Sequence, residues 1–244
     1  MQVDALAVRL RPRGNMEAAD LGVGLCQSAA RSVFMCYLAV ALPVLILCLA
    51  AFEIAAWIPT LAMWMAKPWL DRTVLFALAR AAFGQSTTPA DLWAAQRHVW
   101  WSQLLRTWTL RRLSPWRSLT GPVYQLEGLK GSQLRKRVRQ VRSAKTGTAT
   151  LVTGAFSLVE FCLLFALLSL FGWFAPEGMQ VDYTRLFDPE WQQQLQFIVA
   201  LGYAVAVAVL EPFYVAAGFG MYLNRRVELE AWDIEQEFRR AQPQ

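Results

Sequence analysis

The sequence predicts an all-α fold, a polytopic membrane helical bundle of about four transmembrane spans with additional interfacial amphipathic helices. Two observations carry this expectation. First, apolar runs over residues 32–66, 146–176 and 191–224 are each interrupted by a single glutamate, Glu53, Glu160 and Glu211. Second, the chain is 56% hydrophobic and 17% charged with a mean hydropathy of +0.29, more apolar and less charged than ordinary globular usage.

The elements follow in chain order. Residues 1–31 carry Arg9, Arg11 and Arg13 among Asp4, Glu17 and Asp20 and are expected to form a cytoplasmic, amphipathic N-terminal segment. The apolar run behind them is too long for a signal-peptide core and lacks a small-residue cleavage site, so this segment is expected to be retained. A bilayer core of ~30 Å needs about 20 helical residues. The run that starts at residue 32 must therefore fold back, and Ile58-Pro59-Thr60 is the natural break, with Trp57 suited to an interfacial belt. Residues 32–84 read as a transmembrane hairpin with helices over 32–56 and 60–82. The second helix contains Lys67, Pro68, Asp71, Arg72 and Arg80, so it either spans or re-enters as two half-helices hinged at Lys67-Pro68.

Residues 85–145 hold twelve Lys or Arg against Asp91 and Glu127, and the positive-inside rule places them in the cytoplasm. Thr88-Pro89-Ala90-Asp91 is a helix start, with a capping hydroxyl, proline at the first position and an acid in the first turn. Trp93, Trp100, Leu104 and Trp108 recur at helical spacing among arginines, which predicts an amphipathic helix on the inner leaflet. Ser114-Pro115 and Gly121-Pro122 read as breaks. Beyond them Arg135, Lys136, Arg137, Arg139 and Arg142 form a basic helix expected to contact anionic lipid; the competing reading is a solvated helix that only sets topology. Residues 146–224 form the second hairpin, with helices over 147–174 and 193–223 around an acidic external loop, 177–190. Residues 225–244 complete the chain as a cytoplasmic tail. The expected location is a bacterial inner membrane, multi-pass, with both termini cytoplasmic.

Charges inside the spans are the candidate site. An ionised group at the bilayer centre costs at least ~3 kcal/mol on insertion scales, so such residues face the bundle interior. Glu53, Lys67, Asp71, Arg72, Glu160 and Glu211 are expected to form an intramembrane charge network. Counting ~1.5 Å per residue from Pro59 puts Lys67 about 12 Å and Arg72 about 20 Å deep. Depth then suggests Glu53 with Lys67, and Glu160 or Glu211 with Arg72. The near balance of acids and bases favours structural ion pairs over a proton or cation pathway. The cysteines show no C-x-x-C spacing and read as small packing residues. His98 is the sole histidine, and no H-E-x-x-H, G-x-S-x-G or phosphate-cradling loop occurs; no cofactor, metal site or catalytic residue is expected. Gly202, Ala204, Ala206 and Ala208, with Ala216, Ala217, Gly218 and Gly220, are suited to close helix packing.

The stretch Glu211-Pro212-Phe213-Tyr214-Val215-Ala216-Ala217-Gly218-Phe219-Gly220-Met221-Tyr222-Leu223-Asn224-Arg225-Arg226 resembles the ending of a family of uncharacterised bacterial integral-membrane proteins. Lys67-Pro68-Trp69-Leu70-Asp71-Arg72, Arg112-Leu113-Ser114-Pro115 and Leu126-Glu127-Gly128-Leu129 are similar to it as well, so the likeness spans nearly the whole chain. The resemblance implies an inner-membrane component of the kind associated with a MoxR-type ATPase and transglutaminase-like membrane proteins, without an assigned activity. A looser likeness in layout to the membrane domain of glycerophosphodiester phosphodiesterases carries no catalytic residue over. The expected function is a non-enzymatic scaffold or accessory subunit of a membrane complex; the alternative is a small transporter or ion-coupled channel using the intramembrane carboxylates. Expected partners are the lipid bilayer, anionic lipids and other membrane proteins, with no role for nucleic acid.

Overall fold

A long C-terminal helix organises the molecule, and nearly every other element packs on it. The computed structural model describes residues 13–101, 114–143, 145–174 and 189–230. In chain order the helices are α1 (Asn15–Ser28), α2 (Ala30–Ala50), α3 (Ile58–Ala81), α4 (Pro89–Ala94), α5 (Arg117–Leu126), α6 (Gly131–Arg142), α7 (Thr146–Phe174) and α8 (Pro189–Glu230), with a 3₁₀ turn at Ala51–Glu53 and a π-helical turn at Arg97–Trp101. The fold is all-α, with no strand among the described residues. Helix α8 has 42 residues and touches α1, α2, α3, α5, α6 and α7.

Among the described residues three helical stretches are long and apolar enough to cross a membrane: Ala30–Glu53, Thr146–Phe174 and Trp191–Glu230, with mean hydropathies of 2.7, 2.2 and 1.9. The stretch expected over residues 60–82 to span or re-enter is α3, a single helix of 24 residues that runs through Lys67-Pro68 without a break. A proline inside a helix forfeits one backbone bond, and in α3 the packing around Pro68, which is itself buried, holds the helix together. Its four charged side chains keep α3 out of the apolar class. The lipid-type surface is uneven: α7 shows most of its apolar side chains outward, including Phe161, Phe165 and Trp173, whereas α8 from Ala204 onward is largely buried.

Small residues set how closely the helices approach. The Ala18-x-x-x-Gly22 face of α1 meets the Ala216-x-x-x-Gly220 face of α8. A methyl group on Gly22 would lie 2.0 Å from the Ala216 carbonyl oxygen, and one on Gly220 would lie 2.2 Å from the Ala18 carbonyl oxygen. This is backbone-to-backbone packing of the kind small residues permit in membranes. Gly218 admits α5 in the same way, since a methyl there would stand 2.4 Å from the Ser118 carbonyl carbon. The sequence-expected amphipathic N-terminal segment is thus, from residue 15 on, a helix docked against α8.

Two sequence expectations change in the segment between the hairpins. Gly121-Pro122 is no break, because α5 continues through it; the proline forfeits one bond, and α5 is buried against α8 on the Ser118, Leu119 and Val123 side. The tryptophan stripe is not uniformly exposed. Trp93 is exposed while Trp100 is buried, stacked 5.5 Å from Trp69 and donating its indole N–H to Thr73 Oγ1 at 3.0 Å. The π-helical turn at Arg97–Trp101 is wider than an α turn and carries Trp100 inward against Trp69, while the exposed Trp93 ring packs edge-on to Trp100 at 6.1 Å. Leu104 and Trp108 lie outside the described residues, as do residues 1–12, most of the loop 177–190 and the tail from 231. The Thr88 helix start is present as expected: Asp91 N–H donates to Thr88 Oγ1 at 3.3 Å and Thr88 N–H donates to Asp91 Oδ2 at 3.0 Å, a reciprocal capping box.

Candidate functional site

Lys67 and Asp71 stand four residues apart on α3 and so share one face. Glu211 faces them from α8, Glu160 from α7 and Arg117 from the first position of α5. Lys67 Nζ donates to both Glu160 oxygens, at 2.8 and 2.9 Å, and lies 2.9 Å from Glu211 Oε2. Arg117 Nη2 donates to Glu211 Oε1 at 2.7 Å. Arg117 Nε is 3.1 Å from Asp71 Oδ2, close as a charge pair although its N–H is not aligned for a hydrogen bond. The order is therefore Glu160, Lys67, Glu211, Arg117, Asp71, with Glu211 bridging both cations and only 3% of its side chain exposed.

Aromatic side chains complete the surroundings. The Tyr203 ring lies 5.8 Å from Lys67 Nζ and the Tyr214 ring 5.1 Å from the Arg117 guanidinium carbon, distances at which ring faces favour a cation. Tyr214 Oη is 3.2 Å from Thr153 Oγ1, which donates to the Pro115 carbonyl at 2.6 Å and so ties the start of α5 to α7 and α8. A cavity of about 280 Å³ opens on the network, lined by Lys67, Arg117, Glu160, Glu211, Tyr203 and Tyr214 among others. Three carboxylates meet two cations, so the fully ionised set carries one net negative charge. Asp71 Oδ1 is buried with no hydrogen-bond partner among the described residues.

The expected network is thus partly realised, with different pairings. Lys67, Asp71, Glu160 and Glu211 come together. Glu53 does not join them, because it lies exposed in the 3₁₀ turn after α2, and Lys67 pairs with Glu160 and Glu211 instead. Glu160 and Glu211 pair with Lys67 and Arg117 rather than with Arg72. Arg72 follows Asp71 by one residue and so points about 100° further around α3; it is buried, and Gln125 Nε2 donates to its backbone carbonyl at 2.9 Å. Depth along a helix was the wrong coordinate, and rotation about the axis decides the partner.

Arg117 is the member that the sequence reading counted with the cytoplasmic cations. Its signal was available: it stands alone between Arg112 and Lys130, at the head of a stretch whose apolar residues, Leu119, Val123 and Leu126, recur at helical spacing.

The second charged region lies where α6 meets the end of α8. Of the five cations expected to contact lipid, Arg135, Lys136 and Arg139 are exposed. The other two are occupied within the protein. Arg137 binds Glu127 through Nε at 2.8 Å and Glu230 through Nη2, and Arg142 stacks 4.2 Å from the Trp116 ring. Burial works against the Arg137 charge, but the hydrogen bonds to Glu127 and Glu230 outweigh it and hold the guanidinium above its ordinary pKa. Tyr222 Oη also donates to Glu127, at 2.9 Å, while Glu228 receives Lys145 and Arg225 at 2.6 and 2.8 Å. These pairs explain why α8 stays helical beyond the expected end of the last span.

All four cysteines are free, Cys26 and Cys36 in the core. Among the described residues no group of three or more His, Cys, Asp or Glu is placed to hold a metal ion. Comparison with protein-family models, with curated proteins and with solved structures finds no match to this chain. The geometry defines a helical-bundle protein with three membrane-compatible helices and a buried five-residue charge network.

Proposed function

We propose that the protein is a multi-pass component of a bacterial inner membrane, a non-enzymatic scaffold or accessory subunit whose buried charges are structural. One observation carries this reading: each cation of the network contacts two carboxylates, so the charges are spent on joining α3, α5, α7 and α8. A buried ion pair held in this way fixes which helices meet. The apolar outward face of α7 offers surface to lipid or to a neighbouring membrane protein. The exposed Arg135, Lys136 and Arg139 suit an anionic leaflet, each cation near such a surface contributing ~1 kcal/mol. Four spans, counting α3, with the basic segment inside put both termini in the cytoplasm.

Affinity purification of the full chain in mild detergent tests this function, and the expected result is stoichiometric co-purification of membrane-protein partners. Cysteines introduced near Lys130 and near Tyr183 should be labelled by an impermeant reagent from opposite sides; labelling of both from outside rejects the topology. The second reading, an ion-coupled transporter, draws support from the cavity and the one excess carboxylate. Proton or cation flux in reconstituted vesicles that Glu160→Gln and Glu211→Gln abolish without loss of stability would establish it in place of the scaffold.

A further inference from the structure

The α1–α2 corner and the loop between α3 and α4 line a second cavity, open to the outside and about 580 Å³, that includes none of the charge-network residues. Its volume lies within the range typical of small-molecule sites, ~300–1,000 Å³. Among the described residues Arg31 is the only charged one on its wall. That side chain is exposed and engages no acid or acceptor among the described residues, whereas the nearby Arg80 lies 3.9 Å from Asp91.

Thr87 adds an independent observation. It is 4% exposed, and its hydroxyl has no hydrogen-bond partner among the described residues. Its backbone, by contrast, is fully engaged: the N–H donates to Ser32 Oγ at 2.7 Å, and the carbonyl accepts from Ser32 Oγ at 2.8 Å and from Cys36 Sγ at 3.4 Å. A chain reversal at Gly84, whose φ of +70° favours glycine, brings this loop back to α2. The other half of the wall is apolar, with Leu25 on α1 and Met35 on α2, the latter 58% exposed.

Position joins these facts. Arg31 belongs to the first turn of the membrane-compatible stretch Ala30–Glu53, where a cation stands at headgroup level, and Met35 lies one turn further along, at the level of the chains. An anionic oxygen head on an apolar tail is the chemistry that matches both halves. We propose that this cavity binds an anionic phospholipid, the phosphate held by Arg31 and, once the Thr87 side chain turns its buried hydroxyl toward the cavity, by that hydroxyl, with the proximal acyl chain laid along Leu25 and Met35. A free phosphate ion would use the cation and the hydroxyl and leave the apolar half without a role.

Native mass spectrometry of the full chain in nonionic detergent tests the site, titrated with phosphatidylglycerol, with phosphatidylcholine of the same chains, and separately with inorganic phosphate. Wild type should favour phosphatidylglycerol. Arg31→Gln should weaken that binding roughly tenfold, the factor that corresponds to one charge-assisted hydrogen bond, and Thr87→Val should weaken it by a smaller factor. Both variants should unfold at the wild-type temperature without added lipid, since neither group has a partner within the described protein. The combined change of Arg135, Lys136 and Arg139 to Gln should leave this binding in place. Equal binding of the two lipids, Arg31→Gln or Thr87→Val binding as wild type, loss of binding in the triple variant, or displacement of the lipid by equimolar inorganic phosphate each overturns the proposal.

Discussion

Two clusters of ion pairs sit on α8 about 26–28 Å apart, at Glu211 and at Glu228 and Glu230, seventeen and nineteen positions further. They use the same residue types at similar distances. The set around Glu211 draws its members from three other helices, α3, α5 and α7, and a cavity of about 280 Å³ opens on it. At the far end the carboxylates are about a quarter exposed, and several bonds, such as Arg226 to Glu230 and Arg225 to Glu228, are local to α8 itself. The difference is one of compensation. A charge stranded inside the bundle has nothing to replace its partner, while one stranded at the helix end recovers water.

The largest expected effect separates the clusters directly. Lys67→Met takes the buried set from one net negative charge to two, leaving Glu160 without its cation and Glu211 with only Arg117. The expected loss is about 3–5 kcal/mol, the scale for breaking a buried pair, read as thermal unfolding in detergent. Glu211→Gln should cost less because it balances the charge count, and Glu160→Gln least of the three because Lys67 keeps Glu211. If Glu160→Gln proves the most damaging, the bridging order drawn here is wrong. Adding Glu160→Gln to Lys67→Met should recover part of the loss.

Between the two clusters lies the α1 contact, which tests whether α8 is one rigid element. Gly22→Val places carbon atoms where the Ala216 carbonyl stands, so α1 must move away, at an expected cost of about 1–3 kcal/mol. Hydrogen exchange should speed up in α1 while Lys67 and Glu160 remain coupled. An unchanged exchange rate in α1 would mean that the close approach of the two helices is not tight in solution.

Arg137→Gln addresses the solvent-facing cluster and should cost about 1 kcal/mol, nearer the value for exposed pairs. Raising salt to ~1 M, where the screening length falls to ~3 Å, should erase most of that difference and leave the Lys67→Met loss nearly unchanged. Equal salt sensitivity would place both clusters in the same dielectric environment.

The smallest effect belongs to the capping box. The Thr88 backbone N–H, followed by the Thr88 hydroxyl, holds the Asp91 carboxyl below its ordinary range. A carboxyl depressed in the folded state contributes stability above its unfolded value, and that contribution is lost as pH falls through the folded value. The start of α4 should therefore loosen only below about pH 4, and Asp91→Asn should loosen it at neutral pH and remove the acid-dependent step. Hydrogen exchange in α4 reads both.

What could be read in advance was what each stretch says about itself. The Thr88-Pro89-Ala90-Asp91 cap and the apolar runs are set by neighbours within a few residues, and the structure carries both; the break expected at Ile58-Pro59-Thr60 falls at residues 54–57, with Pro59 in the first turn of α3. The inward placement of Lys67, Asp71, Glu160 and Glu211 follows from the cost of putting charge against lipid, which is a sum over one helix. Trp100 and Gly121-Pro122 were misread because the same local patterns were met by a wider turn in one case and by burial against α8 in the other.

The partners were decided elsewhere. Lys67 and Glu160 are 93 positions apart, Arg117 and Glu211 94, and nothing in either local pattern ranks one glutamate above another. Rotation of α3 about its axis turns Lys67 and Asp71 toward α8 and leaves Arg72, one residue on, facing another side. The docking of α5 through Gly218 and Ser118 brings Arg117, an arginine of the loop by composition, into the interior. Hydrophobic partition is local and additive along the chain, so composition determined the helices and their inward charges. A short-range ionic contact depends on the relative rotation and offset of two packed helices, which exists only once the backbones of Ala18, Gly22, Ala216 and Gly220 have come together.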